Sequence, residues 1–296
     1  MSRINVQSIS IFHLVDSLVK DIINKEFELN NFELCELTNQ LNQLQQPFFS
    51  LFDNDYCYSN TIEAFIGACH ACIGAISLKE FIWNKPSTEE FIDYLKLDRE
   101  YITCSINAQL AQETANCSEL ERYARKVLDK YAKSLVVLVS VSYQPEQRQQ
   151  VSLEDFQEHF ANFRDLISNK KTCFEDLVGY AWAIEQGLDK GYHCHLWLVY
   201  NGSKRQSDFY IGKEVGEKWL KITNGMGEYH NSNNPDTKDY YRRLGILGIG
   251  RIHREFNNEI ENAVIVAKYL AKPSKDDQYV VVKPIGMRTF GKGILR

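Results

Sequence analysis

Residues 191–201 read GYHCHLWLVYN, an apolar and aromatic run interrupted by two histidines one residue apart. Such a run fits a buried β-strand, and this commits that part of the chain to the core of a sheet. Side chains alternate across a strand, so His193 and His195 project from the same face while Cys194 points to the other as a small core residue. Two imidazoles in that relation can grip one metal ion. Two polar residues hydrogen-bonded to backbone would give the same pattern, so the surrounding chain has to decide.

The chain upstream supplies a sheet for this strand. KSLVVLVSVSY, from Lys133 to Tyr143, is rich in β-branched residues with Pro145 just past its end, as in a buried central strand. Ser152 is placed to cap a helix over SLEDFQEHFANFRDLI, whose first turns are acidic. Strands are expected at Leu177–Gln186 and Tyr192–Tyr200, a helix at Asp208–Ile222, and a loop over the Gly/Asn/Pro-rich stretch Asn224–Asp236. A strand at Gly245–His253, a helix at Asn258–Ala271 stopped by Pro273, and a short strand in QYVVVKP complete the order. This β-α-β-β-α-β-α run predicts an α+β fold, an antiparallel central sheet with flanking helices.

Before Lys133 the spacing is helical. Apolar residues recur every three or four positions in FHLVDSLVKDII, FELCELTNQLNQL, TIEAFIGACHACI and FIDYLKL, with breaks at Pro47, at Asp53–Tyr58 and at Lys85–Pro86. NQLNQLQQ reads as an exposed helix face. The chain therefore divides into a mainly helical N-terminal region, 1–130, and an α+β domain, 131–296. A hydrophobic content of 44% with 25% charged residues suits a globular protein with a sizeable core. No apolar run approaches the roughly 20 residues that span a bilayer, and the N-terminus lacks a signal peptide's apolar centre, so a cytoplasmic location without membrane contact is expected. Eight scattered cysteines fit reduced thiols in that compartment. Cys69 and Cys72 form a Cys-x-x-Cys with no second pair at zinc-finger spacing, in sequence that suits a tightly packed helix.

A net charge of −5 argues against a broad nonspecific DNA coat. From Asp236 onward, however, 12 Lys/Arg face 7 Asp/Glu, against 22 and 32 before it. The C-terminal part is thus locally basic and suited to a phosphate backbone. Arg242 and Arg243, after the loop aromatics Tyr240 and Tyr241, are candidate phosphate contacts. So are Arg251 and Arg254 beside His253, and Arg288, Lys292 and Arg296 in the tail RTFGKGILR.

The residues carry a family resemblance in their order. VVLVSVS, then HCHLWL, then a helix with Tyr269 and Lys272 in Tyr-x-x-Lys spacing resemble the three motifs of HUH endonucleases, the single-strand nickases of rolling-circle replication, conjugation and some transposition. GYHCHLWLVYNGS, IGKEVGEKW, GIGRI, AKYLAK and RTFGKG look like the YagK/YfjJ-type C-terminal domain, the replication-initiator family of inoviruses and related prophages. The resemblance covers about residues 133–296 and leaves the helical region without a role; a host replication protein, a second copy or duplex DNA are the partners open to it.

The resemblance implies a metal-dependent nickase acting on single-stranded DNA at an origin or element end, with Mn²⁺ or Mg²⁺ as cofactor. It further implies that Tyr269 forms a 5′-phosphotyrosine link and that Lys272 steadies the phosphate or phenolate. The chemistry needs help from the site, because a phenol with a pKa of about 10 is almost wholly protonated at neutral pH. A divalent ion held by His193, His195 and a carboxylate would supply it. Glu185 is the preferred third ligand if Leu177–Gln186 and the His-x-His strand form an antiparallel hairpin; a bulge near Gly187 would substitute Gln186. Two rival readings stay open: a DNA-binding regulator without nicking, and an unrelated two-histidine, one-carboxylate metalloenzyme.

Overall fold

Several helix starts in this chain carry side-chain caps. In the computed structural model, which describes residues 4–25, 29–74, 77–188, 190–272 and 278–295, Asn30, Asn84 and Ser152 each accept a hydrogen bond from a backbone N–H in the first turn of a helix and form capping boxes. They begin α2 (Asn31–Leu51), α4 (Lys85–Leu97) and α6 (Leu153–Ser168). With α1 (Ser10–Asn24), α3 (Asn60–Ile73) and the 31-residue α5 (Arg99–Asp129), the first part of the chain is helical as expected.

Two details there differ from expectation. Pro47 does not end a helix but lies inside α2. Both Pro47 and Gln43, whose carbonyl loses its partner, are exposed, while Leu41, Phe48 and Phe49 are buried on the inner face. The exposed position leaves the orphaned carbonyl within reach of water, and burial of the inner face offsets the roughly 3 kcal/mol cost of an internal proline. Gln45 is not on an exposed face: it is 2% exposed, and its amide donates to the Phe81 carbonyl at 3.0 Å.

The sheet is antiparallel. β2 (Lys133–Tyr143), β3 (Leu177–Gly187), β4 (Gly191–Asn201), β5 (Gly227–Asn231) and β8 (Phe290–Lys292) run in the order β5-β2-β4-β3-β8, and β6 (Gly250–His253) pairs with β2 beside β5. β7 (Val282–Pro284) lies outside this sheet and pairs with β1 (Tyr56–Tyr58) from the helical region. α7 (Asp208–Ile222), α8 (Pro235–Arg243) and α9 (Asn257–Leu270) complete the described elements. The expected loop at 224–236 contains β5 and the start of α8, and Tyr240 and Tyr241 stand on that helix, which Asn234 caps. Neither element has an apolar period to read: β5 is held by backbone pairing to β2, and α8 buries no residue. The expected strand at 245–253 is confined to Gly250–His253. Pro273 and Arg296 lie outside the described residues.

Each sheet face buries its own apolar cluster. On one face Val137, Val139, Leu196, Leu198 and Cys194 pack in a cluster that also contains the core residues of α1–α4, α6 and α7. On the other, Val136, Trp197, Val199 and Ala181 lie under α5 and α9, meeting Tyr123, Val127, Ala263 and Ala267. Apolar packing therefore continues across residue 130, since α5 covers the sheet. Among the described residues, no helix is long and apolar enough to cross a membrane.

Candidate metal centre

The face covered by α5 and α9 changes character along its length. Under the helices it is apolar; farther along it presents Ser140 and Ser142 on β2, His193 and His195 on β4 and Glu185 on β3, because each lies an even number of residues from its strand's apolar residues on that face. Glu185 pairs directly with His193, so the hairpin keeps regular register at the site and no bulge intervenes. Gln186 faces the other way, where its side-chain oxygen accepts from the Val281 N–H at 2.6 Å. The third position belongs to Glu185.

The hairpin turn itself is fixed by Gly191. Its φ is +62°, and a Cβ there would stand 2.4 Å from the Val6 carbonyl oxygen, so only glycine lets the turn pass the N-terminal segment. The Gly191 carbonyl in turn accepts from His193 Nδ1 at 3.1 Å.

This bond decides what the cluster can hold. With Nδ1–H donated to a carbonyl, Nε2 is the ring nitrogen turned toward Glu185. Nε2 lies 3.3 Å from Glu185 Oε2, and His195 Nε2 lies 3.0 Å from the same oxygen. The two rings stand nearly perpendicular with centroids 5.1 Å apart. His195 Nδ1 is 2.6 Å from Ser140 Oγ, to which it donates when Nε2 is the ligating atom. Lone pairs that converge this closely need a cation among them, either a proton or a metal ion. Glu185 is 1% exposed and His193 3%, whereas the His195 side chain is 28% exposed and opens the cluster to solvent. The group can hold a metal ion, with two nitrogens and one oxygen and room on the His195 side for further ligands.

Cys194, on the opposite face, takes no part. Burial first, and then the nearby Glu185 charge, hold its thiol well above the ordinary range. Cys69 and Cys72 lie on α3 as a packed pair, and burial likewise raises both thiols.

Tyr269 and Lys272 come from the helix that crosses this same face. Ala267 and Leu270 of α9 are buried against the sheet, while Tyr269 is 58% exposed in the last turn and Lys272 is exposed just beyond it. Tyr269, Lys268 and Lys272 line a groove with Leu110, Glu113 and Cys117 of α5. That lining includes none of Glu185, His193 and His195. Glu113 is the residue sequence reasoning missed here: it is 8% exposed, lies in the helical region, and lines both this groove and a second cavity reaching Ala183. Its helical spacing gives no hint of a site.

The basic candidates are dispersed. Arg243, Arg251 and Arg288 are exposed, and Arg242 is exposed but ion-paired with Asp239. Arg254 donates to the Asp129 carbonyl at 3.0 Å. Lys292 pairs with Glu119 of α5 at 3.1 Å and lies over the Tyr123 ring. No family model, curated protein or solved structure matches the chain.

Proposed function

We propose that the protein nicks and rejoins single-stranded DNA at an origin or element end, using Tyr269 as nucleophile beside a divalent ion, Mn²⁺ or Mg²⁺, held by Glu185, His193 and His195. The observation that carries this reading is the buried Glu185–His193–His195 cluster on a sheet face crossed by the tyrosine-bearing helix α9. When bound, such an ion supplies charge withdrawal from a phosphate oxygen and stabilises the crowded transition state.

The chain's own residues would do the rest. Ser140 and Gly191 orient the two imidazoles, and Glu185 supplies the negative charge that offsets the ion. Tyr269 Oη attacks phosphorus, losing its proton, and the P–O3′ bond breaks so that the 3′ oxygen leaves as a hydroxyl. The 5′ phosphate stays on the tyrosine, and the retained bond energy allows rejoining without ATP. Lys272, three residues on and just past the end of α9, neutralises phosphate charge. Exposed Arg243, Arg251 and Arg288 serve as backbone contacts.

The absence of Glu185, His193 and His195 from the groove that Tyr269 lines favours one second reading, a two-histidine, one-carboxylate metalloenzyme in which Tyr269 is dispensable. One experiment tests both. Purified protein is incubated with labelled single-stranded DNA pools and Mn²⁺, with Tyr269→Phe and chelator controls, and resolved on a denaturing gel. A covalent adduct lost in both controls supports the nickase; metal binding with no adduct on any pool, origin DNA included, overturns it.

A further inference from the structure

We propose that Gln278 is a fourth protein ligand of the ion, through its side-chain amide oxygen. Gln278 Oε1 lies 3.0 Å from His193 Nε2, the atom whose lone pair faces the cluster. Nδ1 of that ring is already committed to the Gly191 carbonyl, so in the neutral ring Nε2 and Oε1 confront each other as two lone-pair donors. Glu185 Oε2, 3.3 Å from the same nitrogen, adds a third. A shared cation resolves the confrontation, and it places the amide oxygen in the coordination shell together with the three side chains already described.

The backbone holds Gln278 there. Its carbonyl accepts from the Gln186 N–H at 2.8 Å, which lays the segment along the end of β3, and its side-chain carbons rest 3.7 Å from where a Cβ on Gly187 would stand. The following residues are clamped as well. Tyr279 bonds to Asp16 and Lys20 of α1, and Val281 donates to Gln186 Oε1 at 2.6 Å. A side chain on so fixed a segment is preorganised, which is what a ligand requires and what a passing surface glutamine lacks.

The chemical consequence is a two-nitrogen, two-oxygen set. A neutral amide oxygen adds a hard donor without a second negative charge, so a divalent ion keeps a net positive charge toward a phosphate oxygen entering beside His195. Added hard oxygen donors bias the site toward Mn²⁺ or Mg²⁺ relative to softer alternatives. Glutamine is an uncommon metal ligand, and Gln278 stands far from the histidines in sequence.

This inference rests on the metal reading of the cluster and not on the nicking chemistry. The test is Mn²⁺ titration of the full chain, read by loss of the free-ion electron paramagnetic resonance signal, for the wild type, Gln278→Glu and Gln278→Leu, with metal-free thermal melts of each as a folding control. The expected result is affinity about tenfold tighter for Gln278→Glu and about tenfold weaker for Gln278→Leu. Unchanged affinity in Gln278→Glu, or tighter binding in Gln278→Leu because an amide N–H had been blocking Nε2, overturns the assignment while leaving the three-residue site standing. A wild type that binds no Mn²⁺ overturns both.

Discussion

Ser140 Oγ stands 2.6 Å from His195 Nδ1, on the strand beside it and directly in register. The hydroxyl engages Nδ1 and leaves Nε2 to face Glu185. Removing it leaves the ring free to rotate without emptying the site. Ser140→Ala is expected to weaken Mn²⁺ binding by about 10-fold or more, with Thr restoring it. Calorimetric titration checks this; equal affinity in Ser140→Ala would show that the ring is oriented by the strand alone.

Gly179 opens the sheet to α5. A Cβ at that position would lie 2.6 Å from both methyls of Val127, which is fully buried. Gly179→Ala should cost about 1–3 kcal/mol through overpacking. Because Val127→Ala removes the clashing methyls, the double variant should be more stable than the sum of the two changes predicts. Urea denaturation of the four proteins measures the coupling, and strict additivity would mean that α5 does not lie on β3.

The arginines divide by what they already touch. Arg243 and Arg251 are exposed, whereas Lys292 is engaged by Glu119 and the Tyr123 ring. Alanine at Arg243 or Arg251 should weaken single-stranded DNA binding about equally on all sequences and reduce the salt slope by about 0.7 each. Lys292→Ala should leave the slope intact and cost at most about 1 kcal/mol of stability. Fluorescence anisotropy across a salt series separates them; an unchanged slope in both arginine variants would remove this surface from the DNA path.

His159 makes stability depend on pH. Burial holds its imidazole below the ordinary range, against the pull of Asp155 and Glu158, and Tyr143 Oη lies 2.8 Å from its Nδ1. A folded-state value below the unfolded one means that the unfolded chain binds more protons as pH falls. The contribution is therefore present above about pH 6.5 and lost progressively below it. Melting temperature should fall between pH 7.5 and 5.5, with a smaller fall in His159→Gln. Parallel curves for the two proteins would exclude His159 as a cause.

Thiol reactivity reports which cysteines the fold buries. Cys35 and Cys104 are exposed, while burial raises the Cys72 thiol to about 11 and those of Cys69 and Cys194 well above the ordinary range. Maleimide labelling of native protein followed by peptide mass mapping should mark Cys35 and Cys104 first and reach Cys69 and Cys194 only after unfolding. Labelling of Cys194 at the rate of Cys104 would contradict its place behind the histidines.

Local signals carried much of this protein in the residues themselves. Period-two alternation put His193 and His195 on one face and Cys194 on the other, the β-branched run made β2 a central strand, and Ser152 marked the start of α6. Each of these depends on neighbours within one element, where backbone geometry leaves little choice. The packing of three dimensions decided the rest. Glu185 rather than Gln186 faces the histidines because the hairpin turns at Gly191 without a bulge, which a sequence spacing cannot specify. β5 and α8 have no apolar period, so only pairing to β2 and a cap at Asn234 reveal them. Gln278 reaches His193 across 85 residues of chain, and Glu113 reaches the Tyr269 groove from another helix, because long-range contacts are set by how whole elements pack. Local periodicity fixes the direction of a side chain within its own element; which side chains from distant elements meet it is a property of the folded core.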